Sequence, residues 1–151
     1  MTQAACPVKA SVAPLRAALR RGASDGVQAA LCKSFSPNAR IRLGHPFGDV
    51  TGPEALWRQV YAPLLQAVPD LERRDFIAMA GPRWGAGPSG DWIGLGGNIV
   101  GTLSAPWLGI PATGKPVFLR YHEYWRIENG QLVEMEGIWD IPQVMLQAGV
   151  W

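Results

Sequence analysis

An α+β fold, with helices at the front of the chain and an antiparallel sheet behind them, is what this sequence predicts. Three observations carry that prediction. Apolar residues follow a helical spacing from Val12 to Phe35 and alternate at period two after Pro69-Asp70. A strong helix start, Thr51-Gly52-Pro53-Glu54, lies between those two regions. Asn129-Gly130 separates two alternating segments and is a strong two-residue hairpin signal. Helices that come before antiparallel strands pack over one face of a curved sheet.

The elements follow in order. Val12, Leu15 and Leu19 make one helical stripe, and Val27 and Leu31 make another. Gly22-Ala23-Ser24-Asp25-Gly26 lies between them, so the region is either two helices or one broken helix, with Ser24 or Asp25 as a cap. Arg16, Arg20 and Arg21 fall on the polar side and read as a solvated face. Ser36-Pro37-Asn38 is a turn, Ala39–Leu43 a short strand, and His45-Pro46-Phe47-Gly48 irregular. The helix from Thr51 to about Val68 carries Leu56, Val60, Leu64 and Val68 on one stripe, with Trp57 and Tyr61 beside it. Pro63 is placed to kink it. Leu71–Ala80 and Trp92–Leu103 are strands around a loop at Gly81–Gly90, the second loosened by Gly94, Gly96 and Gly97. After a turn-rich stretch at Pro106–Lys115 come the hairpin strands Val117–Glu128 and Gln131–Trp139. A final helix, Gln143–Ala148, opens near Pro142 and ends at Gly149.

Composition narrows the function classes. The chain has 151 residues, 48% of them hydrophobic and 17% charged. That suits one domain over residues 1–151 and argues against a disordered tail. No repeat, linker or low-complexity stretch interrupts it. Fourteen basic and twelve acidic residues leave a net charge of +2, so nucleic acid is not an expected partner. No apolar run approaches the roughly 20 residues of a membrane span. Pro7, Lys9, Ser11 and Pro14 interrupt any signal-like stretch, and a cytoplasmic location is expected. Cys6 and Cys32 have no Cys-x-x-Cys spacing and no nearby histidine, so no metal site is expected. Neither Gly-x-Gly-x-x-Gly after a strand, nor a phosphate-binding Gly-x-x-x-x-Gly-Lys-Ser/Thr, nor a Gly-x-Ser-x-Gly elbow is present.

The second half of the chain is more specific. Trp107-Leu108-Gly109-Ile110-Pro111-Ala112-Thr113-Gly114-Lys115-Pro116-Val117 resembles the LGIPATGK-type loop of SnoaL-like polyketide cyclases. Gly137–Val150, a strand ending in Asp140 and then a leucine/glutamine helix ending at Gly149, is similar to the same family's C-terminal segment. His45-Pro46-Phe47-Gly48-Asp49 with Gly52-Pro53-Glu54, and Pro69-Asp70-Leu71-Glu72, match its first strand exit and its helix-to-strand passage. The resemblance covers about residues 40–150; residues 1–38 match only in helical character. It implies a nuclear transport factor 2-like cone: a strongly curved antiparallel or mixed sheet wrapped around N-terminal helices, with a deep central pocket. It also implies homodimers through the outer sheet face, a small-molecule substrate or ligand, and ring-closing chemistry without a cofactor. The same fold carries isomerases, hydrolases and non-catalytic binders, so fold alone does not fix the reaction.

Site residues are expected on the hairpin. A two-residue turn at Asn129-Gly130 pairs His122 with Gly137, Tyr124 with Met135 and Arg120 with Trp139, and opposed residues share a face. That face reads as the pocket wall, and the face carrying Tyr121, Glu123 and Trp125 reads as the outer surface. A one-residue bulge would exchange them. The resemblance places a catalytic histidine at His122 and an acid at Gly137, where this chain has none. Asp140 is the substitute expected to work with His122, with Glu136 facing the pocket only if a bulge intervenes. The ordinary alternative for Asp140 is a helix cap. His45 is expected at the rim as a further catalytic group. Asn98, Arg120, Tyr124, Trp139, Trp57 and Tyr61 are the expected pocket lining, with core packing as the alternative for Trp57 and Tyr61. Trp84 and Trp107, in loops, read as lid or interface residues. The function expected is cofactor-independent cyclase, isomerase or lyase chemistry on a small apolar or polyketide-like carbonyl or ring compound. The alternative is a binding protein that has lost its acid at Gly137.

Overall fold

A computed structural model describes residues 6–82 and 90–151, so Trp84 lies outside the described residues. The front of the chain is helical: α1 (Pro7–Ser11), α2 (Ala13–Arg21) and α3 (Ser24–Ser34). The break between α2 and α3 is Gly22, which ends α2 in the left-handed region at φ 63°. A Cβ there would lie 2.1 Å from the Leu71 carbonyl oxygen, so only glycine lets the helix end sit against the start of the sheet. Ala23 takes the cap position of α3, and neither Ser24 nor Asp25 makes a side-chain cap bond.

The middle helix is composite: α4 (Gly52–Leu56), a π-helical turn (Trp57–Tyr61) and α5 (Ala62–Ala67). Pro63 accounts for the turn, because it has no N–H to continue the ladder and its ring crowds the preceding turn. Thr51 occupies the cap position of α4 but its side chain makes no cap bond, so the expected capping box does not form. The final helix, α6 (Ile141–Ala148), is capped as its sequence implies: the Asp140 carboxylate accepts the Gln143 amide at 3.1 Å.

Six strands form one curved mixed sheet: β1 (Phe35–Leu43), β2 (Gly48–Thr51), β3 (Glu72–Pro82), β4 (Asp91–Thr102), β5 (Pro116–Glu128) and β6 (Gln131–Trp139). Their order is β2-β1-β6-β5-β4-β3, and the sheet does not close on itself. Among the described residues only the β1–β6 pair runs parallel. β2 replaces part of the irregular stretch expected after Leu43. The helices lie on the concave face, where Leu15, Leu31, Leu56, Leu64, Ile93, Leu119, Trp125 and Met135 are buried together. Among the described residues no helix is long and apolar enough to cross a membrane.

Two bulges decide which side chains face that core. In β6 the pairing starts as expected, with Glu128 opposite Gln131 and Ile127 opposite Leu132. Val133 is then an extra residue, and Arg126 pairs with Glu134, Glu123 with Gly137 and Tyr121 with Trp139. The expected face assignment is therefore kept for β6 and reversed for β5. Tyr121, Glu123, Trp125, Met135, Gly137 and Trp139 look inward, whereas Arg120, His122, Tyr124, Glu136 and Ile138 look outward. In β3 the extra residue is Phe76: Asp75 pairs with Gly97 and Ile77 with Gly96. Arg73 and Asp75 consequently face inward, beneath α2.

Candidate active site

One buried ion pair, Arg73 with Glu123, occupies the interior, and a partly buried pair, Arg16 with Asp75, adjoins it. Glu123 has no exposed surface and Arg73 is 2% exposed. The Arg73 guanidinium grips the Glu123 carboxylate with both terminal nitrogens, at 3.2 and 2.9 Å. The indole N–H groups of Trp125 and Trp139 donate to the same carboxylate at 3.1 and 2.8 Å. Four donors fill the acceptor capacity of a carboxylate, so Glu123 is an anchored anion rather than a mobile base. The Arg73 guanidinium lies over the Tyr121 ring at 3.9 Å and over the Trp125 ring at 5.5 Å.

Glu123 also crowds the position at which Gly137 stands. A Cβ built on Gly137 would lie 3.1 Å from Glu123 Cγ and 3.0 Å from Leu43 Cδ2. The Glu123 side chain, directly across the ladder, lies against the point where a side chain at 137 would begin.

The network continues from Arg73 to the surface. Arg73 Nε donates to Asp75 at 3.0 Å, Arg16 Nε donates to Asp75 at 2.6 Å, and the Tyr121 hydroxyl donates to Asp75 as well. Asp75, Gly97 and Tyr121 are register partners on three adjacent strands. A Cβ on Gly97 would meet the Tyr121 oxygen at 2.6 Å and the Arg74 carbonyl at 2.0 Å, so a glycine is what lets the phenol reach across to Asp75. Burial acts to raise the Asp75 carboxyl, but the Arg73 charge and the bonds from Tyr121, Arg16 and Arg73 outweigh it and hold it below its usual range. Burial pushes the phenols of Tyr61 and Tyr121 up, against the pull of Arg73. Both stay protonated at neutral pH and remain donors.

Space is available at one end of this network. A cleft of about 320 Å³ between α2 and β3 is lined by Ala13, Arg16, Ala17, Arg20, Arg21, Arg73 and Asp75. Ligand pockets begin at roughly that size. The apolar end of the cone is filled: the space among Leu64, Val68, Leu103, Trp107 and Val144 is about 10 Å³, no more than a single water needs. Trp107 is therefore a buried packing residue, not a lid. Its loop closes as a tight turn, with Leu108 and Gly109 both at positive φ (52° and 80°) between paired Trp107 and Ile110.

These features coincide with a sequence match. The profile of the SnoaL-like polyketide cyclases matches residues 15–148. The chain belongs to the SnoaL-like polyketide cyclase family. Solved structures agree on the fold. AclR of Streptomyces galilaeus, proposed as a hydroxylase, is 21% identical with a TM-score of 0.74, the match covering 95% of this chain and 85% of AclR. IdmH of Streptomyces antibioticus, proposed as a polyketide cyclase, is 23% identical with a TM-score of 0.74, covering 96% of this chain and 100% of IdmH. A SnoaL-like protein from Jannaschia sp. CCS1 is 22% identical with a TM-score of 0.73, covering 95% and 94%. No curated protein sequence matches this one.

Within this SnoaL-like chain the residues expected at the site divide. Trp139 and Tyr61 are inside, edge to face at 5.6 Å, with Trp139 on Glu123. Trp57 packs half-buried against the core. His122, Tyr124, Arg120 and Asn98 lie on the outer face, because the alternation of β4 and β5 turns them away from the cone. His122 and Glu136 both line an outer groove of about 540 Å³, shared with Arg42, Tyr124 and Ile138, where Arg42 binds Glu136. Asp140 is not in that groove; its carboxylate caps α6. His45 is exposed in the turn between β1 and β2. Among the described residues no three His, Cys, Asp or Glu side chains gather in a way that could hold a metal ion.

Arg73, Asp75, Tyr121 and Glu123 were not among the residues expected at the site. A signal for them exists in the sequence. Leu119, Tyr121, Trp125 and Ile127 make the apolar face of β5, and the apolar face of a strand is the one that turns to the core. Arg73 and Asp75 share an alternating face with Leu71 at the start of β3.

Proposed function

We propose that this chain catalyses cofactor-independent, cyclase-type chemistry on a small polyketide-like carbonyl compound, in the cleft between α2 and β3. One observation supports this reading above the others: the Tyr121–Asp75 hydrogen bond, flanked by two guanidinium groups, lies where the buried polar network reaches that cleft. Asp75 accepts a proton from the carbon next to a carbonyl. The electron pair of the broken C–H bond becomes an enolate, whose charge Arg73 and Arg16 stabilise and whose oxygen Tyr121 hydrogen-bonds. The enolate carbon attacks a second carbonyl of the same molecule, and the alkoxide formed takes the proton back from Asp75. Atoms balance without a second reactant. Substrate entry displaces Arg16 from Asp75 and loosens the hold that keeps this carboxylate weakly basic.

The experiment is turnover of an enolisable aromatic polyketone by three variants. Asp75→Asn is expected to lower kcat at least 100-fold and Tyr121→Phe at least tenfold, each with less than threefold change in KM. His122→Ala, on the outer face, is expected to keep wild-type turnover. Loss of turnover in His122→Ala with retention in Asp75→Asn would move the chemistry to the outer groove. A second reading, a ligand carrier without catalysis, draws on the four donors that lock Glu123. It predicts saturable binding that Asp75→Asn leaves intact and no turnover by the wild type.

Two copies of the chain are proposed to pair through the outer face of the sheet. Phe76, Ile77, Met79, Phe118, Tyr124 and Ile138 are large side chains exposed on that face and its β3 margin, and clustered exposed apolar side chains mark interaction surfaces.

A further inference from the structure

We infer that the α2–β3 cleft selects an acidic ligand, an aromatic or polyketide-like carboxylate whose anionic group docks on Arg20 and Arg21. The inference rests on the reading of this cleft as the substrate site and adds the class of compound that enters it. Four arginines and one aspartate line the cleft. The inner pair is spoken for: Arg73 is held by Glu123 and Asp75, and Arg16 by Asp75. Among the described residues the outer pair, Arg20 and Arg21, has no carboxylate partner within ion-pair distance. Glu72, the acid whose charge Arg20 feels, is engaged by Arg74 at 2.8 Å. The cleft therefore presents uncompensated positive charge at its mouth and a compensated pair at its floor.

The helix explains the shape. Ala13, Arg16, Ala17 and Arg20 recur at three- and four-residue intervals, which puts them on one face of α2, while Leu15 and Leu19 are buried on the other. Two alanines leave a flat apolar strip between the guanidinium groups. A planar ring fits on such a strip, and arginine forks match a carboxylate with two parallel hydrogen bonds. A carboxylate anchored at Arg20 and Arg21 leaves the rest of the ligand directed along the strip toward Arg16, Asp75 and Tyr121. Sequence periodicity alone assigns these arginines to solvent; the position of α2 over β3 is what turns them into a wall.

The test is isothermal titration of the full chain with 2-naphthoate and with its neutral counterpart 2-naphthamide, at two salt concentrations. Neither compound has an enolisable carbon, so binding is read apart from turnover. Naphthoate is expected to bind at least tenfold tighter than the amide and to weaken as salt rises. The double variant Arg20→Gln/Arg21→Gln changes two exposed side chains; its thermal midpoint is checked against the wild type. It is expected to lose that tenfold preference and leave the amide unchanged. Equal affinity for acid and amide, no naphthoate binding at millimolar concentration, or an undiminished preference in the double variant would overturn the inference. Naphthoate binding combined with full turnover by Asp75→Asn would leave the anion site standing and remove the catalytic reading. The opposite pair of results would do the reverse.

Discussion

Glu123 and Gly137 face each other across one rung of the β5–β6 ladder, and their chemistry is complementary. Arg73 is buried at full charge, which costs several kcal/mol unless an anion neutralises it, and Glu123 does so with ideal fork geometry. The Glu123 carboxylate needs room, and Gly137 supplies it. Removing the charge while keeping the shape tests this balance. Glu123→Gln places an amide N–H against donors from Arg73, Trp125 or Trp139 and leaves the buried Arg73 cation with Asp75 as its remaining anionic partner. A loss of about 3–5 kcal/mol is expected by urea unfolding. The exchange of acids between strands gives a second readout in the same measurement. Gly137→Asp alone crowds Leu43 and sets two carboxylates side by side. Combined with Glu123→Ala it restores a single acid, so the double variant should exceed the sum of the singles by about 1–3 kcal/mol. Strict additivity would mean that the two positions do not share one space.

At the scale of the element, one residue sets the faces of the last hairpin. Asn129 and Gly130 take positive φ (49° and 77°), as the two-residue turn requires. Up to Leu132 the ladder follows that turn, and then Val133 is accommodated as a bulge. Without it Met135, Gly137 and Trp139 would point to solvent, and Glu134, Glu136 and Ile138 would point into the core. Burying two carboxylates against Leu and Trp side chains is far costlier than one unpaired strand residue. Deletion of Val133 is accordingly expected to give a chain without a cooperative thermal transition and with lost near-ultraviolet circular dichroism. A folded deletion variant with a wild-type spectrum would show that the bulge relocates. The helical rod at Gly52–Ala67 carries a comparable local decision: Pro63 interrupts the ladder, and a π turn just before it keeps Val60 and Tyr61 in the core.

The molecule as a whole carries acids that are poised by arginines. Burial acts to raise Glu134, but hydrogen bonding from Arg126 and the charges of Arg40, Arg126 and Arg42 hold it below its usual range, as Arg73, Tyr121 and Arg16 do for Asp75. A depressed carboxyl binds fewer protons folded than unfolded. Its contribution to stability is therefore present above the unfolded values, about 3.9 for Asp and 4.3 for Glu, and is lost as pH falls through the lower folded ones. Urea midpoints measured from pH 7 to pH 3 should be level down to about pH 5 and then fall. Asp75→Asn should flatten part of that fall. A midpoint that rises on acidification would contradict the sign. The outer sheet face gives the other prediction at this scale. Sedimentation should find a dimer, and Phe118→Glu with Ile138→Lys, changing side chains 48% and 71% exposed, should give monomers of unchanged helix and sheet content. A wild-type chain that sediments as a monomer at high micromolar concentration would remove the pairing.

Much of this was already decided by the order of the residues. The switch of apolar period, the Asn129-Gly130 turn, the Asp140 cap and the Gly149 stop are local devices, and each acts through its own neighbours. The loop at Trp107–Val117 and the Gly137–Val150 segment carry the family in the same local way, and the profile match over residues 15–148 bears that out. The site was less legible. Trp139 and Tyr61 are readable as inward-facing large aromatics, whereas the register set by the turn puts His122 on the pocket side and fails at Val133. The Val133 bulge leaves no mark in spacing, because its cause is not local: it is the free-energy difference between two burial patterns of the finished sheet. The same holds for Asp75, which becomes part of a site only because β3, β4, β5 and α2 bring Gly97, Tyr121, Arg73 and Arg16 to it from across the chain. Sequence determines what each segment prefers to be. Which charges meet, and on which side of the sheet, is decided by packing, since burial and ion pairing are properties of distances that exist only after folding.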